Sequence, residues 1–475
     1  MNRQKELAKN TIILTVGKIC TQFVSFMLLP LYTALLDPTE YGVVDLFNTY
    51  ITLLVPIFNW QFENGLFRFM IERRKNFDEQ KVLFSTVFTT NIFQALVYIV
   101  FYFVAQNFIS SPYKMFLAID VVLNIFLNTF LQFPRGLGKN GAYAVGSFIS
   151  ASTTVVMNVV LIAGLGMGAY GMFWATVTAK CMTIIYLVVS QKVWRYIDLR
   201  LFDKSLFKQV SKYSLPLIPN QLSWWVIGVS DRSIVSYVLG LAANGIYTVA
   251  NKFSSVFITF YNIFNMSWQE SVALHIDDSD RDEFLTDIIN SMFRLFSSVC
   301  IGIIACMPFV FPYFINAKYA DAYQQIPILM IAVLFQVVVG LYSVIYGAMK
   351  KTVEIAKTSF FAAVINIGSN ILLINFIGLY AAAVSTLLSY MAMSIYRYIH
   401  IKKYVNVRLK AKTVLLTVLI GAIAVAAYYY DHLIINVLAL LIVAAYAIIS
   451  NRKFLLSTLD TVKSAVRKIL KKENS

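Results

Sequence analysis

The chain is built from long apolar blocks separated by short polar stretches. A helix that crosses a bilayer needs about 20 mainly apolar residues, and about fourteen segments qualify. They lie near 11–36, 43–70, 82–107, 115–134, 142–165, 170–190, 213–239, 246–274, 287–316, 326–349, 358–377, 379–399, 412–430 and 433–450. The polar stretches sort by charge. With the N-terminus placed in the cytoplasm, the inner segments hold Arg73, Arg74, Lys75 and Lys81, then Lys192, Arg195, Arg200, Lys204, Lys208 and Lys212. Further inner segments hold Lys350, Lys351, Lys357, Arg397, Lys402 and Lys403, and the tail adds a basic run from Arg452 to Lys472. The outer loops hold only Lys114 and Lys318. Cytoplasmic loops of membrane proteins retain Lys and Arg, so this sorting predicts an all-α, multi-pass protein of the inner membrane with both termini cytoplasmic.

The same pattern predicts the domain organisation. Residues 1–190 make a six-helix lobe, 191–212 a cytoplasmic linker, 213–400 a second six-helix lobe, 401–450 two extra helices and 451–475 a basic tail. The linker mixes Trp194, Ile197, Leu201, Phe202, Leu206, Phe207 and Val210 with basic residues, as an amphipathic helix at headgroup level does. The lobes echo one another. Ser147-Phe148, Asn158 and Leu161 fall on Ser359-Phe360, Asn370 and Leu373, and Gly42 and Asn48 correspond to Gly245 and Asn251. The offset covers an even number of spans, so the repeat is parallel, about an axis along the membrane normal.

Composition sharpens this picture. The 475 residues are 59% hydrophobic and 13% charged, against about 25% charge in soluble domains. The net charge of +16 would suggest nucleic acid in a soluble protein; here the excess sits on inner loops, which excludes that partner. Cys20, Cys181, Cys300 and Cys306 lie in apolar stretches without metal spacing, and His275, His400 and His432 are isolated, so no metal is expected. No cofactor motif is present, and the short outer loops offer no nucleophile–base pair for an enzyme.

The informative residues are charges within the spans, because a charge at the bilayer centre costs about 2.5–3.5 kcal/mol on insertion scales. They are Lys18, Asp45, Glu63, Arg68, Asp120, Lys180, Asp231, Arg232, Lys252 and Arg294, six of the ten cationic. Most sit on spans 1, 2, 7 and 8, which predicts a water-filled cavity that favours an anion; Arg and Lys suit a phosphate or pyrophosphate. Candidate substrate contacts are Lys18, Lys180, Arg232, Lys252, Arg294 and Arg68, with Asp45, Glu63 and Asp231 as charge partners or ion-coupling groups. Plainer roles stand beside these. Arg68 and Arg294 lie near span ends, where they can snorkel. Asp45 lies near an outer end, where it can cap a helix. Asp231 and Arg232 point about 100° apart on a helix, so one can pair with a neighbouring span while the other faces the cavity. Glu63 can offset a cation or exchange a proton or sodium ion. The LPLIPN run (215–220) opens span 7 with two prolines and is the best candidate for a functional bend.

Three stretches carry a family resemblance: LPLYTALLDPTEYGVVDLF (29–47), RGLGKNGAYAVGSF (135–148) and SLPLIPNQLSWWVIGVSDRSIVSYVLGLAANGIYTVANKF (214–253). Together they resemble Wzx-type polysaccharide (O-antigen) flippases of the multidrug/oligosaccharidyl-lipid/polysaccharide exporter superfamily, over most of the chain. The resemblance implies two six-helix lobes around a cleft, often with two extra C-terminal helices. It implies outward movement of an undecaprenyl-pyrophosphate-linked glycan by alternating access; coupling to a proton or sodium gradient stays open. The partners it implies are the lipid-linked glycan, membrane lipids and a polysaccharide polymerase. Lys18, Arg232 and Lys252 are the matching cleft cations, with Lys180 and Arg294 less direct. Spans 13 and 14 have no counterpart in the repeat and look peripheral, suited to a groove for the lipid tail. Two other functions remain open at this point. A cation-coupled drug exporter of the same superfamily has the same outline but a net acidic cleft. A membrane polymerase or glycosyltransferase needs a sizeable outer loop, which the chain does not offer.

Overall fold

The computed structural model describes residues 26–349, 351–452 and 456. Among them lie sixteen α-helices: α1 (Leu29–Leu35), α2 (Pro38–Asn59), α3 (Phe62–Glu72), α4 (Phe77–Ala105), α5 (Lys114–Gly136), α6 (Asn140–Asn158), α7 (Gly168–Gln191), α8 (Lys204–Ser214), α9 (Leu217–Val238), α10 (Leu241–His275), α11 (Arg281–Phe314), α12 (Asp321–Ala348), α13 (Thr352–Ile377), α14 (Tyr380–Ile401), α15 (Ala411–Tyr430) and α16 (Leu433–Ser450). No strand occurs among the described residues. In hydrocarbon every backbone amide and carbonyl must be satisfied within its own segment, which helices do and open strands do not. Ten described helical segments are long and apolar enough to cross a membrane. The protein is an all-α, multi-pass membrane protein. Most of the first expected span (11–36) lies outside the described residues, so the expected fourteen are not counted here.

The chain packs as two compact units. The first runs to Lys252 and adds Ile315–Ala320 and Ala363–Ala382; the second comprises Phe253–Phe314, Asp321–Ala362 and the chain from Ala383. In the first unit, α2, α4, α5 and α7 enclose Val43, Phe47, Tyr98, Phe116, Val121 and Phe173. Phe62, Leu66, Phe84, Phe133, Leu187 and Val210 form another cluster. In the second unit, α15 and α16 lie against α11 through Ile301, Ala305, Ala424, Val443 and Tyr446. Their other faces, with Leu415, Val418, Leu438 and Ile449, are exposed, as suits peripheral lipid-facing helices.

Several boundaries differ from the sequence expectation. The expected span 43–70 begins earlier, at Pro38, because Asp37-Pro38-Thr39-Glu40 is a helix start. Pro38 stands at the first turn, and the Glu40 carboxylate accepts from the Asp37 amide at 3.3 Å. The cap is therefore at Asp37, and Asp45 lies two turns inside the helix, free for another role. The same span breaks at Trp60 and Gln61, which both adopt left-handed backbone (φ 55° and 56°). The Asn59 side chain caps the restart by accepting from the Phe62 amide at 3.2 Å, and Gln94 donates to the Asn59 carbonyl at 2.9 Å. The linker is two short 3-10 turns followed by α8. Val193 and Val210 are fully buried against the protein, while Trp194, Leu199 and Phe202 remain exposed. Lys81 holds Asp198 at 3.2 Å; that bond, then the Arg200 amide, keeps the Asp198 carboxyl below its ordinary range. In LPLIPN the helix is interrupted: α8 ends at Ser214 and α9 starts at Leu217. The acidic stretch 275–287 is mostly helix, with a turn between α10 and α11 pinned by His275 on Asp278 at 2.7 Å.

Gly42 and Gly245, equivalent positions of the sequence repeat, touch each other within the first unit. A Cβ on Gly42 would collide with the Leu241 carbonyl oxygen, and one on Gly245 with the Pro38 carbonyl oxygen. These are backbone atoms that cannot rotate away, so α2 and the start of α10 approach as only small residues allow. Gly42→Ala and Gly245→Ala should each destabilise the protein by about 1–3 kcal/mol, the usual range for overpacking. Thermal unfolding in detergent checks this, and a wild-type midpoint for either variant would refute the crossing.

Candidate functional site

The first unit gathers four of the candidate charges. Asp45 comes from α2, Asp231 and Arg232 from α9, and Lys252 from α10. Arg232 Nη1 lies 3.3 Å from Asp45 Oδ1. Asp231 accepts the Tyr247 hydroxyl on one oxygen and the Arg232 backbone amide, at 2.9 Å, on the other. The Asn244 amide group donates to the Gly42 carbonyl at 2.9 Å and reaches Asp45 Oδ2 at 3.5 Å. Lys252 lies within electrostatic reach of both Asp45 and Arg232. Trp225 ties α9 to α2 by donating to the Thr49 carbonyl at 3.0 Å. The helical offset separates the adjacent pair: Arg232 pairs with Asp45 on α2, while Asp231 is buried against Tyr247 on α10 instead of facing a cavity.

The cluster balances two acids against two bases. Sequence reasoning expected surplus positive charge, and among the described residues the structure supplies counter-charges for several of those cations. The physical reason is the cost of stripping water from an ion, several kcal/mol even after relaxation, which a partner offsets. Arg232 is not saturated, however. Its side chain is 23% exposed, and its buried Nε has no hydrogen-bond partner among the described residues. The forked donors of a guanidinium fit a phosphate as well as a carboxylate.

The remaining candidates are placed separately. Lys180 on α7 pairs with Asp120 on α5 at 2.9 Å, both largely buried. Arg68 pairs with Glu72 one turn along α3 at 2.7 Å, both half exposed. Arg294, on α11 of the second unit, donates to Ser291 Oγ at 3.1 Å. Lys18 lies outside the described residues. Glu63 is buried just after the Trp60–Gln61 break. Its Oε2, the Asn59 amide nitrogen and the Gln94 Oε1 have no hydrogen-bond partner among the described residues. An unwound stretch with orphaned oxygens is where a small cation or a proton can be accommodated.

Sequence reasoning missed Arg397 by assigning it to an inner loop. The helix α14 runs on to Ile401 and carries Arg397 fully buried into the second unit. Its guanidinium donates to Thr358, Ser359 and Ser343 hydroxyls and to the Val339 and Ile355 carbonyls. The recoverable signal was the set of hydroxyls at 343, 358 and 359 in otherwise apolar helices.

The Lys180–Asp120 pair generates a prediction. Asp120→Asn leaves a buried ammonium without its counter-charge and should destabilise the protein by about 3–5 kcal/mol, whereas Asp120→Leu with Lys180→Met should recover most of that. Unfolding midpoints of the two variants give the comparison, and equal losses would show that the charges do not act as a pair.

The polysaccharide biosynthesis protein family matches residues 7–268. The succinoglycan biosynthesis transport protein ExoT of Rhizobium meliloti (strain 1021) is 24% identical over 264 residues, 53% of this chain and 50% of that protein. The match thus spans about half the length of this curated relative. Among solved structures, the lipid II flippase MurJ in an inward closed conformation superposes with a TM-score of 0.69 at 17% identity, covering 94% of this chain and 100% of that one. An inward-facing multidrug resistance MATE family transporter of the MOP superfamily gives 0.67 at 12% identity, covering 82% and 98%. These likenesses establish a shared fold. The match over more than half of the sequence, joined to this helical architecture, makes the chain a member of the polysaccharide biosynthesis protein family.

Proposed function

We propose that the chain is a flippase that carries undecaprenyl-pyrophosphate-linked oligosaccharide units from the inner to the outer leaflet of a bacterial cytoplasmic membrane, for O-antigen, capsule or exopolysaccharide assembly. The observation that carries the reading is the Asp45–Asp231–Arg232–Lys252 cluster within the spans of the first unit. Its cations are matched by acids, and a pyrophosphate can replace Asp45 on the Arg232 fork. Lys18 belongs to the same site in this reading. The basic segments support a topology with both termini in the cytoplasm. Alternating access moves the charged headgroup without exposing it to hydrocarbon.

Two further features support the reading. The second unit holds an apolar cavity of about 480 Å³ between α11, α12, α14 and α15, lined by Ile301, Leu334, Tyr342, Tyr398, Val418 and Val425. It suits the hydrocarbon tail of a carrier lipid and gives the peripheral helix α15 a purpose. Glu63, at the break between α2 and α3, is the group we assign to coupling with a proton or sodium gradient. A polysaccharide polymerase is the natural recipient of the product. A cation-exporting transporter shares the fold, but the family and the named activity of the curated relative favour glycan transport, as does a cluster with as many bases as acids.

Transport of a labelled lipid-linked oligosaccharide in reconstituted vesicles tests the proposal. Arg232→Gln and Lys252→Gln should each slow it about tenfold or more, equivalent to about 1.4 kcal/mol, with normal membrane insertion. Wild-type transport by the Lys18/Arg232/Lys252 triple glutamine variant would remove the site; efflux of cationic dyes without glycan movement would favour the exporter. Glu63→Gln should make the rate indifferent to an imposed proton or sodium gradient, and an unchanged response would clear Glu63 of coupling.

A further inference from the structure

We propose that the linker between α7 and α9 is a docking surface for the anionic headgroups of the phospholipid leaflet beside it. Residues 192–212 carry six bases: Lys192, Arg195, Arg200, Lys204, Lys208 and Lys212. All six are exposed, and none has an ion-pair partner among the described residues. The two acids of the segment are already engaged. Asp198 is held by Lys81 at 3.2 Å and accepts from the Arg200 amide, and Asp203 caps α8 by accepting from the Leu206 amide at 2.8 Å. With Lys81 counted, seven bases meet two acids here, so the surface keeps a clear positive excess.

Packing decides which side of the linker is offered. Ser85 on α4 donates to the Tyr196 carbonyl at 2.7 Å and accepts from the Asp198 amide at 3.0 Å, and Thr86 accepts from the Asp203 amide at 3.1 Å. Val193 and Val210 enter the apolar cluster of Phe62, Phe84 and Phe133. The amphipathic helix expected from the sequence is thus turned with its apolar side on the protein. Lys204, Lys208 and Lys212 recur every fourth residue about half a turn round from Val210, which makes a basic row about 12 Å long on the outer side. The turns that precede the row leave Trp194 and Leu199 each 54% exposed and Phe202 41% exposed. Bases interleaved with exposed Trp, Leu and Phe are the composition of an element at the membrane surface, where apolar groups enter the boundary and bases stay with the phosphates. The segment is tethered at that level. Lys192 directly follows the long apolar helix α7, and only Leu215 and Pro216 separate α8 from α9. A row of this length fits neighbouring headgroups better than one compact anion. Each base so placed strengthens attachment to an anionic surface about fivefold.

Quenching of Trp194 fluorescence by brominated phospholipid reads the contact directly. The full chain is reconstituted in mixed phosphatidylglycerol–phosphatidylcholine vesicles, with bromine on one lipid or on the other at equal fractions. The Trp194 signal is the difference between wild type and Trp194→Phe. Brominated phosphatidylglycerol should quench it about threefold or more over brominated phosphatidylcholine. That preference should vanish in salt of about 1 M, where the screening length falls to about 3 Å, and in a variant combining Lys204→Gln, Lys208→Gln and Lys212→Gln. Equal quenching by the two lipids in low salt would overturn the proposal, as would a preference unchanged by salt or by the triple variant. A Trp194 that neither lipid quenches would also overturn it, and would leave the face to an acidic soluble partner. Salt acts on the wild-type chain, so the test decides even where the triple variant fails to fold. None of these residues belongs to the Arg232 cluster, so the result stands or falls apart from the transport reading.

Discussion

A charge carried into hydrocarbon must find a partner or water, and much of this structure follows from that constraint. Asp120 meets Lys180 and Asp45 meets Arg232. Asp231 meets a tyrosine hydroxyl and a backbone amide, and Arg397 spends its donors on hydroxyls and carbonyls. Each solution fixes neighbouring helices relative to one another, because both ends of each bond come from elements otherwise joined by non-directional apolar contact. Oil-facing side chains gain little by leaving lipid for another helix, so polar bonds and close backbone approaches carry much of the specificity. The two compact units show this differently: the first through ion pairs, the second through Arg397 and the packing of α15 and α16 on α11.

The spans were legible in the sequence because they depend on a single-residue property, hydropathy, summed over windows. The divergence of Asp231 and Arg232 was legible for a similar reason: helical geometry alone sets it. The identity of their partners was not, since Asp45 lies 187 residues from Arg232 and only packing brings them together. The break at Trp60–Gln61 was hidden because neither residue is glycine or proline, and the bonds that sustain it come from Asn59 and from Gln94 on another helix. Arg397 misled because a basic residue near a span end normally reports an inner loop; here α14 continues past it and the hydroxyls that receive it lie on other helices. The helix start at Pro38 was legible in Asp37-Pro38-Thr39-Glu40 but outweighed by the hydropathy window.

The repeat adds a structural consequence that sequence comparison alone did not state. Gly42 and Gly245 occupy equivalent positions of the two copies and also touch. Small side chains there let the backbones approach, and the approach positions the neighbouring Asn244 to bond the Gly42 carbonyl and to reach Asp45. The chain of cause runs from two glycines, through a close crossing, to the orientation of a carboxylate in the charge cluster.

That orientation bears on how the cluster can exchange partners. An ion pair in a membrane is usually expensive to open, because the ion left behind is bare. Here neither acid depends on Arg232 alone. Asp45 keeps the Asn244 amide within reach, and Asp231 keeps the Tyr247 hydroxyl and a backbone amide. A ligand that takes the guanidinium therefore leaves both carboxylates hydrogen-bonded, with Lys252 as the remaining cation of the cluster. Arg232 also retains a donor, Nε, without a hydrogen-bond partner among the described residues. A purely structural ion pair would be more stable with every donor engaged. The asymmetry between well-held acids and an incompletely held base is what a site needs if its cation is to be released to a passing anion and recovered afterwards.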